Sequence, residues 1–435
     1  MRAYLVGGAV RDQLMGRISA DHDYVVVGST PDDMLLAGYK QVGADFPVFL
    51  HPDTGDEYAL ARTERKQGHG YGGFVCDFAP DVSLGDDLAR RDLTVNAMAL
   101  DESGALIDPF GGKTDLQNKV FRHVSDAFAE DPLRVLRVAR FMARHAHEGW
   151  VVAAETLDLM REIAQRDELA HLTPERVWKE MSRALQESTP SSFFITLREA
   201  GALGDIFPEV EALFGVPQPV EHHPEVDAGL HTMLTLDQSA RLSGRLAVRW
   251  GALVHDLGKA LTPKDEFPRH LAHEARGVAL VERASERFNI PTDLKRIGMH
   301  ASQYHLHVHR SMEMTAKRLV ALFSDLDYRR RPETLADLVM IAEADARGRT
   351  GLENRPYPQA QYLLDLAPEI LKVDQREIAE RLRDGTKISN EIHAASVRLV
   401  SHKMDAVNYS ALKDRASGRP AEQGGFLFRA STITA

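Results

Sequence analysis

The sequence predicts an α+β chain: a small mixed sheet with helices over the first 120 residues, then a body made almost wholly of helix. Short β-rich runs alternate with turns up to about residue 120, and beyond that point apolar residues recur at three- and four-residue spacing. The chain of 435 residues has room for about three domains. Its 43% hydrophobic and 27% charged residues are the balance of a globular protein.

The β-rich runs are Tyr4-Leu5-Val6, Tyr24-Val25-Val26-Val27, Pro47-Val48-Phe49-Leu50 and Glu57-Tyr58-Ala59-Leu60-Ala61. Between the second and third, Thr30-Pro31-Asp32-Asp33 supplies a capping hydroxyl, a proline at the first helical position and two first-turn acids, so a helix starts there. Gly68-His69-Gly70-Tyr71-Gly72-Gly73 is too rich in glycine for a regular element and reads as a mobile loop. After Asp108-Pro109-Phe110-Gly111-Gly112 the pattern turns helical, with Leu133, Leu136, Ala139 and Phe141 in register, and no further strand is expected. Phe214-Gly215-Val216-Pro217-Gln218-Pro219 breaks that region and marks a boundary. A histidine-rich block runs from His222 to His309, helix returns from about 330 to 403, and a loosely ordered tail follows from Ser417. The expected domains are 1–120, 121–220, 221–350 and 351–435.

The formal net charge is −11, which excludes a wholly basic coat. Cys76 is the single cysteine, so an intrachain disulfide and a thiolate zinc site are both excluded, which suits a reducing cytoplasm. The N-terminus lacks the charged, apolar and small-residue regions of a signal peptide. No run approaches the roughly 20 apolar residues of a membrane span, so no membrane partner is expected.

Chemistry enters at Gly7-Gly8. A strand running into this pair and on to Ala9-Val10-Arg11-Asp12 puts flexible backbone and a basic side chain at a helix start, where amide donors favour an anion such as a triphosphate. The same pair also suits a plain tight turn. Asp21-His22-Asp23 precedes or opens the next strand, whose period of two sends both carboxylates to one face. Two hard oxygen ligands of that kind can hold Mg²⁺, although an isolated Asp-x-Asp also serves as a solvated acidic turn. Farther on, Asp131, Arg134, Arg137 and Arg140 recur every three residues along a helix expected from Glu130. An arginine fork beside a carboxylate matches the donor and acceptor pattern of a paired base.

The order Gly7-Gly8-x-x-Arg11-Asp12, Asp21-x-Asp23, Arg90-Arg91-Asp92-x-x-x-Asn96-Ala97 and Glu130-Asp131-x-x-Arg134 resembles the class II tRNA nucleotidyltransferases, the bacterial CCA-adding enzymes of the polymerase-β-like superfamily. Asp45-Phe46-Pro47-Val48-Phe49 and the run Asp131 to Phe141 resemble the long, multifunctional bacterial form, and the likeness extends from residue 1 to about 350. It implies a polymerase-β-like nucleotidyltransferase head followed by a helical neck and body. It further implies that Asp21 and Asp23 hold catalytic Mg²⁺, that Gly8 and Arg11 contact the nucleotide phosphates, and that Arg91 neutralises the triphosphate. Glu57 stands where a third carboxylate is often kept, and Asn96 near the sugar or base. Asp131 and Arg134 would act as an amino-acid template for CTP and then ATP, with Arg137 and Arg140 facing phosphates. On residues alone, Arg90-Arg91 equally suits a surface pair bridged to Asp86 and Asp87.

The histidine block holds His231, His255-Asp256-Leu257-Gly258-Lys259, His270, His273, His305 and Asp345, and resembles the HD phosphohydrolase superfamily. The apolar run Leu246 to Val254 buries a helix and delivers the His-Asp pair to its end. The resemblance implies His231, His255, Asp256 and Asp345 as metal ligands, with His255 and Asp256 catalytic and Lys259 meeting the substrate phosphate. His270 and His273 are candidates for a second metal or the phosphate. Of His300, His305, His307 and His309, only His305 has a claim; the others read as solvated or structural. Imidazole with carboxylate suits Mg²⁺, Mn²⁺, Ni²⁺ or Fe and does not choose among them; the expected metal is Ni²⁺ or Mg²⁺.

The expected enzyme adds and repairs the 3′-terminal CCA of tRNA from CTP and ATP, as a monomer or homodimer. Its HD domain would act as a 2′,3′-cyclic phosphodiesterase, 2′-nucleotidase and phosphatase. Two alternatives stand beside it: a poly(A) polymerase of the same superfamily, and a non-catalytic RNA-binding relative.

Overall fold

Strand Arg2–Val6 (β1) runs into Gly7, whose φ of +72° turns the chain directly into the helix Gly8–Leu14 (α1). A Cβ on Gly7 would also lie 3.0 Å from Arg91 Nη1, so only glycine combines the left-handed backbone with this approach. The computed structural model describes residues 1–19, 22–42, 48–66, 74–77, 79–221 and 223–406. Asp21, Asp45 to Pro47, the glycine-rich stretch 68–73, His222 and the tail from Ser417 lie outside the described residues.

Asp23–Val27 (β2) follows, then the helix Pro31–Leu36 (α2), with the expected cap: Asp33 N–H donates to Thr30 Oγ1 at 3.2 Å and Thr30 N–H to the Asp33 carboxylate at 2.9 Å. Lys40–Val42 (β3), Val48–Leu50 (β4) and Glu57–Leu60 (β5) extend the sheet, and Thr63–Lys66 (β6) pairs with Phe74–Asp77 (β7) as a separate ribbon. Leu84–Ala89 (α3), Ala99–Leu100 (β8) and Leu106–Ile107 (β9) complete the head. The main sheet has the order β3-β4-β5-β2-β1-β8-β9. β2 is antiparallel to β1 and parallel to β5, and the register sets Asp23 beside Glu57. Strand alternation splits the core: Val25 packs with Val6, Leu88 and Ala97, whereas Val26 packs with Met34, Phe49 and Leu60.

Helix Gly112–Asn118 (α4) leads to Val120–Phe121 (β10), which pairs in parallel with Val151–Val152 (β11). Strand therefore continues beyond Gly112, contrary to the sequence pattern. Two-residue strands carry no readable period, and this one forms because Phe121 stacks on Trp150 with ring centroids 4.5 Å apart. Leu133–His145 (α5) also starts three residues later than expected. Glu130 ends a 3₁₀ turn, and Asp131 is extended, its carboxylate accepting from Leu133 N–H at 3.1 Å. Around α5 come Ala154–Gln165 (α6), Pro174–Leu185 (α7), Ser191–Glu199 (α8), Leu203–Ile206 (α9) and Pro208–Glu211 (α10), with α7 and α8 packed directly on it.

The chain divides into two units, Met1–Val216 with Glu282–Pro291, and Pro217–Val281 with the residues from Thr292 onward. The second unit is helical: Ala228–Leu242 (α11), Leu246–Val254 (α12), His273–Arg287 (α13) as far as Val281, Thr292–His309 (α14), Ala316–Asp325 (α15), Pro332–Arg347 (α16), Pro358–Leu366 (α17), Gln375–Leu382 (α18) and Gly385–Ala406 (α19). α12 is its axis. Val248, Trp250, Ala252, Leu253 and Val254 are fully buried, and α11, α14 and α16 pack around them. Among the described residues no helix is long and apolar enough to cross a membrane.

Candidate active sites

In the first unit a cavity of about 530 Å³ is lined by Gly7, Gly8, Arg11, Asp23, Arg90 to Asp92, Asn96, Asp131 and the Leu133 to Arg144 face of α5, together with Arg176. The structure thus gathers Gly8, Arg11, Asp23, Arg91, Asn96, Asp131, Arg134, Arg137 and Arg140 around one space. Asp21 lies outside the described residues. Glu57 does not line the cavity, yet its register beside Asp23 puts both carboxylates on one face of the sheet.

A hydrogen-bonded chain fixes the cavity floor. Arg11 donates to Asp12 at 2.8 and 2.9 Å and to Asn96 Oδ1 at 2.8 Å; Asn96 Nδ2 donates to Asp92 at 3.1 Å, and Arg137 Nε to Asp92 at 2.8 Å. Burial alone would raise Asp92, but the Arg137 guanidinium and the Asn96 amide hold it down to about 2. Burial pulls the Arg11 guanidinium below its ordinary range. Arg90 and Arg91 both bond Asp87, which is buried, while Asp86 caps α3 through Ser83; the pairing seen as an alternative in the sequence therefore exists with Asp87. It leaves Arg91 facing the cavity.

Asp131 and Arg134 do not bond each other. Arg134 donates to the carbonyls of Arg90 at 2.6 Å and Ala127 at 2.9 Å, whereas Asp131 accepts from Arg176 at 3.0 Å. Arg140 donates to the buried Glu180 at 2.6 Å and lies over the Phe141 ring. Arg176 and Glu180 were not legible as site residues. They stand four apart on α7, in a segment that shares no motif with α5.

In the second unit, four histidines share one arrangement. Nδ1 of His231, His255, His273 and His305 donates to a backbone carbonyl, that of Gly348, Ala252, His270 and Ala301 respectively, at 2.7 to 3.1 Å. With Nδ1 so committed, Nε2 is in each case the ring nitrogen turned inward. Asp256 receives them from two sides: Oδ2 lies 3.1 Å from His255 Nε2 and 3.8 Å from His231 Nε2, Oδ1 lies 3.2 Å from His273 Nε2 and 3.6 Å from His305 Nε2. Asp345 meets His231 Nε2 at 3.0 Å. Burial pushes His305 down to about 3, so its imidazole is neutral and available as a ligand.

His255 Nε2 and Asp256 Oδ1 are buried with no hydrogen-bond partner. Buried polar atoms are rarely left so, and a cation between them would satisfy both, so the residues present fit a divalent metal. Two sets of three converge on this point, His231-His255-Asp345 and Asp256-His273-His305. Lys259 Nζ, buried, lies 2.5 Å from Asp256 Oδ2 and bonds Gln218. His270 is turned to Thr262 and the Pro217 carbonyl but still lines, with Asp256, His273 and His305, a cavity of about 420 Å³ in this unit. Gly258 is required here, because a Cβ would come within 1.9 Å of the His273 carbonyl oxygen.

His309, read from the sequence as solvated or structural, has two partners. Its Nε2 lies 2.7 Å from Asp345 Oδ2, and its Nδ1 lies 2.8 Å from the Tyr357 hydroxyl. His223 and Glu225 were also missed, Glu225 lying 2.9 Å from His223 and 3.0 Å from His231. The one available signal was the four-residue spacing of His305 and His309, which sets both on one side of α14.

Comparison with known proteins agrees with this division. Residues 3–122 match the poly A polymerase head domain family, residues 151–214 the probable RNA and SrmB-binding site of polymerase A, and residues 229–348 the HD domain. Fold and sites together define a polymerase-type nucleotidyltransferase joined to an HD domain. The multifunctional CCA protein of Pseudomonas aeruginosa (strain LESB58) is 54% identical over 395 residues, 91% of this chain and 96% of that one. That of Hahella chejuensis is 53% identical over 400 residues, 92% and 95% of the two chains. The chain belongs to the multifunctional CCA protein family. Its fold is shared with a Thermotoga maritima CCA-adding enzyme solved with tRNA (19% identity, TM-score 0.61, covering 93% of this chain and 91% of that one). It is also shared with a CCA-adding enzyme solved with CTP (20% identity, TM-score 0.63, 95% and 91%).

Proposed function

We propose that the two sites divide the work of RNA 3′-end maintenance. The chain is a nucleotidyltransferase that adds and repairs the 3′-terminal CCA of tRNA from CTP and ATP. The observation that carries the reading is the cavity in which Asp23, Arg91, Asp131 and Arg134 face one space. Asp23 at its wall, together with Asp21 and with Glu57 in support, would hold Mg²⁺. The bound ions would supply positive charge to the attacking 3′-hydroxyl and the leaving pyrophosphate. Arg91 meets the triphosphate, Gly8 lets its backbone approach, and the buried Arg11-Asn96-Asp92 chain keeps the floor rigid. Arg134, fixed by two carbonyls, and Asp131, fixed by Arg176, form a preset edge that a cytosine or adenine amine and ring nitrogen can meet. Arg137 and Arg140 add charge along the same wall. The poly(A) and non-catalytic alternatives lose their ground in the 54% identity to multifunctional CCA proteins.

The HD centre we read as a phosphohydrolase for 2′,3′-cyclic, 2′- and terminal phosphates, with His231, His255, Asp256 and Asp345 holding Ni²⁺ or Mg²⁺. When bound, such a metal supplies an activated water and a Lewis acid. Lys259 neutralises charge at the cavity wall, and His273 and His305 stand beside the second oxygen of Asp256. The domains are assigned as 1–120 head, 121–220 neck and body, 221–350 HD domain and 351–435 helical C-terminal region. A cytoplasmic site of action fits the lone Cys76.

The test uses full-length enzyme with tRNA lacking its last three nucleotides, with CTP and ATP. Ordered addition of two C and one A is expected, lost in Asp23→Ala and kept in Asp256→Ala. Cyclic-phosphate removal should show the reverse pattern. A long A tract, or loss of both activities in either variant, overturns the reading.

A further inference from the structure

The HD cavity, about 420 Å³, does not end at the metal-ligating residues. It shares Glu274, Leu306 and Arg310 as wall with a second cavity of about 650 Å³. Cavities that hold a small organic ligand run from roughly 300 to 1,000 Å³, so the second space can take a nucleoside. Two helices build it. α14 offers Tyr304 and His307 one turn apart, Arg310 follows just past its end, and α15 offers Arg318, Ala321, Leu322 and Asp325 at helical spacing. On the same α14, His305 and His309 face the HD centre, so one helix serves both spaces.

The lining chemistry is mixed. Tyr304 and His307 line it as an edge-to-face pair with ring centroids 5.5 Å apart, and Met314 and Leu322 add apolar surface. The Tyr304 hydroxyl donates to Asp325 at 3.1 Å. Among the described residues, Arg310, Arg318 and Glu313 have no side-chain hydrogen bond or ion pair, so their polar groups are uncommitted. Two cations cannot neutralise a long polyanion against three carboxylates nearby, but they can meet one phosphodiester. A free carboxylate accepts from the exocyclic amine of adenine or cytosine, and aromatic faces accept a base.

We propose that this cavity is the nucleoside subsite of the HD centre. It would take the base and ribose of an RNA 3′-terminal nucleotide, with Arg310 and Arg318 on its sugar-phosphate and Glu313 on the base amine. The inference rests on the HD reading above. It distinguishes a site for nucleotide esters from one for phosphate esters in general, and favours amine-bearing bases over uracil. A third cavity, lined by Arg349, Arg355 and Tyr357, is smaller at about 320 Å³, and its Tyr357 and His309 are already bonded to each other.

The test is calorimetry on the full-length enzyme with saturating CTP to fill the head, titrating 2′-AMP, 2′-UMP and inorganic phosphate. Wild type should bind 2′-AMP more tightly than 2′-UMP. Ala321→Trp, which fills the cavity, should weaken 2′-AMP about tenfold or more with phosphate binding unchanged. Arg318→Ala, at an exposed position, gives a second variant with little risk to folding and should weaken 2′-AMP in the same direction. Equal 2′-AMP affinity in all three proteins overturns the subsite. Hydrolysis of a 2′,3′-cyclic nucleotide is measured in parallel as the check on the HD reading itself. If no protein hydrolyses it, the HD reading falls while the calorimetry still decides the subsite.

Discussion

Asp131 is held by Arg176, 3.0 Å away on α7, and not by Arg134, one turn along its own chain. The carboxylate and the guanidinium that would read the incoming base are thus positioned independently, one by a side chain and one by main-chain carbonyls. Arg176→Ala should lower kcat/KM for both CTP and ATP by about tenfold or more, equivalent to about 1.4 kcal/mol of lost transition-state stabilisation. The pair is partly solvated, so the melting temperature should hardly move. Steady-state kinetics on a tRNA ending in one C, beside a thermal melt, separates the two effects.

Asp92 predicts a pH dependence. Its carboxyl is held at about 2 in the folded chain, against an ordinary value of 3.8. A depressed carboxyl contributes stability above its unfolded pKa, and that contribution is lost as the pH falls from about 4 toward 2. The contribution is at most about 2 kcal/mol, because Arg137 is a third exposed and solvent screens the pair. Asp92→Asn should be less stable than wild type at pH 7, and the gap should narrow on acidification. A gap that widens in acid would contradict this assignment.

His309→Ala should weaken divalent metal binding at the HD centre by roughly 10- to 100-fold, because Asp345 loses the partner that orients it. Tyr357→Phe should have a smaller effect in the same direction. Metal titration reads both, and CCA addition should be unchanged in each.

Gly258→Ala should displace the start of α13 from the His-Asp pair, since the new methyl has no room beside the His273 carbonyl. A destabilisation of about 1 to 3 kcal/mol and loss of HD hydrolysis are expected. Melting curves and hydrolysis of a cyclic nucleotide test this together.

Much of the head was legible because its motifs are local. Gly7-Gly8 turns where it reads as a turn, Thr30 to Asp33 caps α2 as written, and the three-residue spacing of Arg134, Arg137 and Arg140 on α5, with Asp131 just ahead of the helix, brings all four to one cavity. The His-Asp pair likewise follows its buried helix. What was missed is contact between segments far apart in sequence. Arg176 and Glu180 are ordinary helix residues until α7 packs on α5, and His309 reads as one of a solvated cluster until Asp345 arrives on α16.

By itself the sequence determined the α+β order, the family motifs and the residue types that can bind metal and nucleotide, since backbone propensity and spacing act within a few residues. Only the tertiary structure decided the partners: Asp131 with Arg176, Arg137 with Asp92, and both oxygens of Asp256 with separate histidine pairs. Hydrogen bonds and ion pairs act over about 3 Å, and no periodicity in a chain of 435 residues specifies which distant side chains come that close.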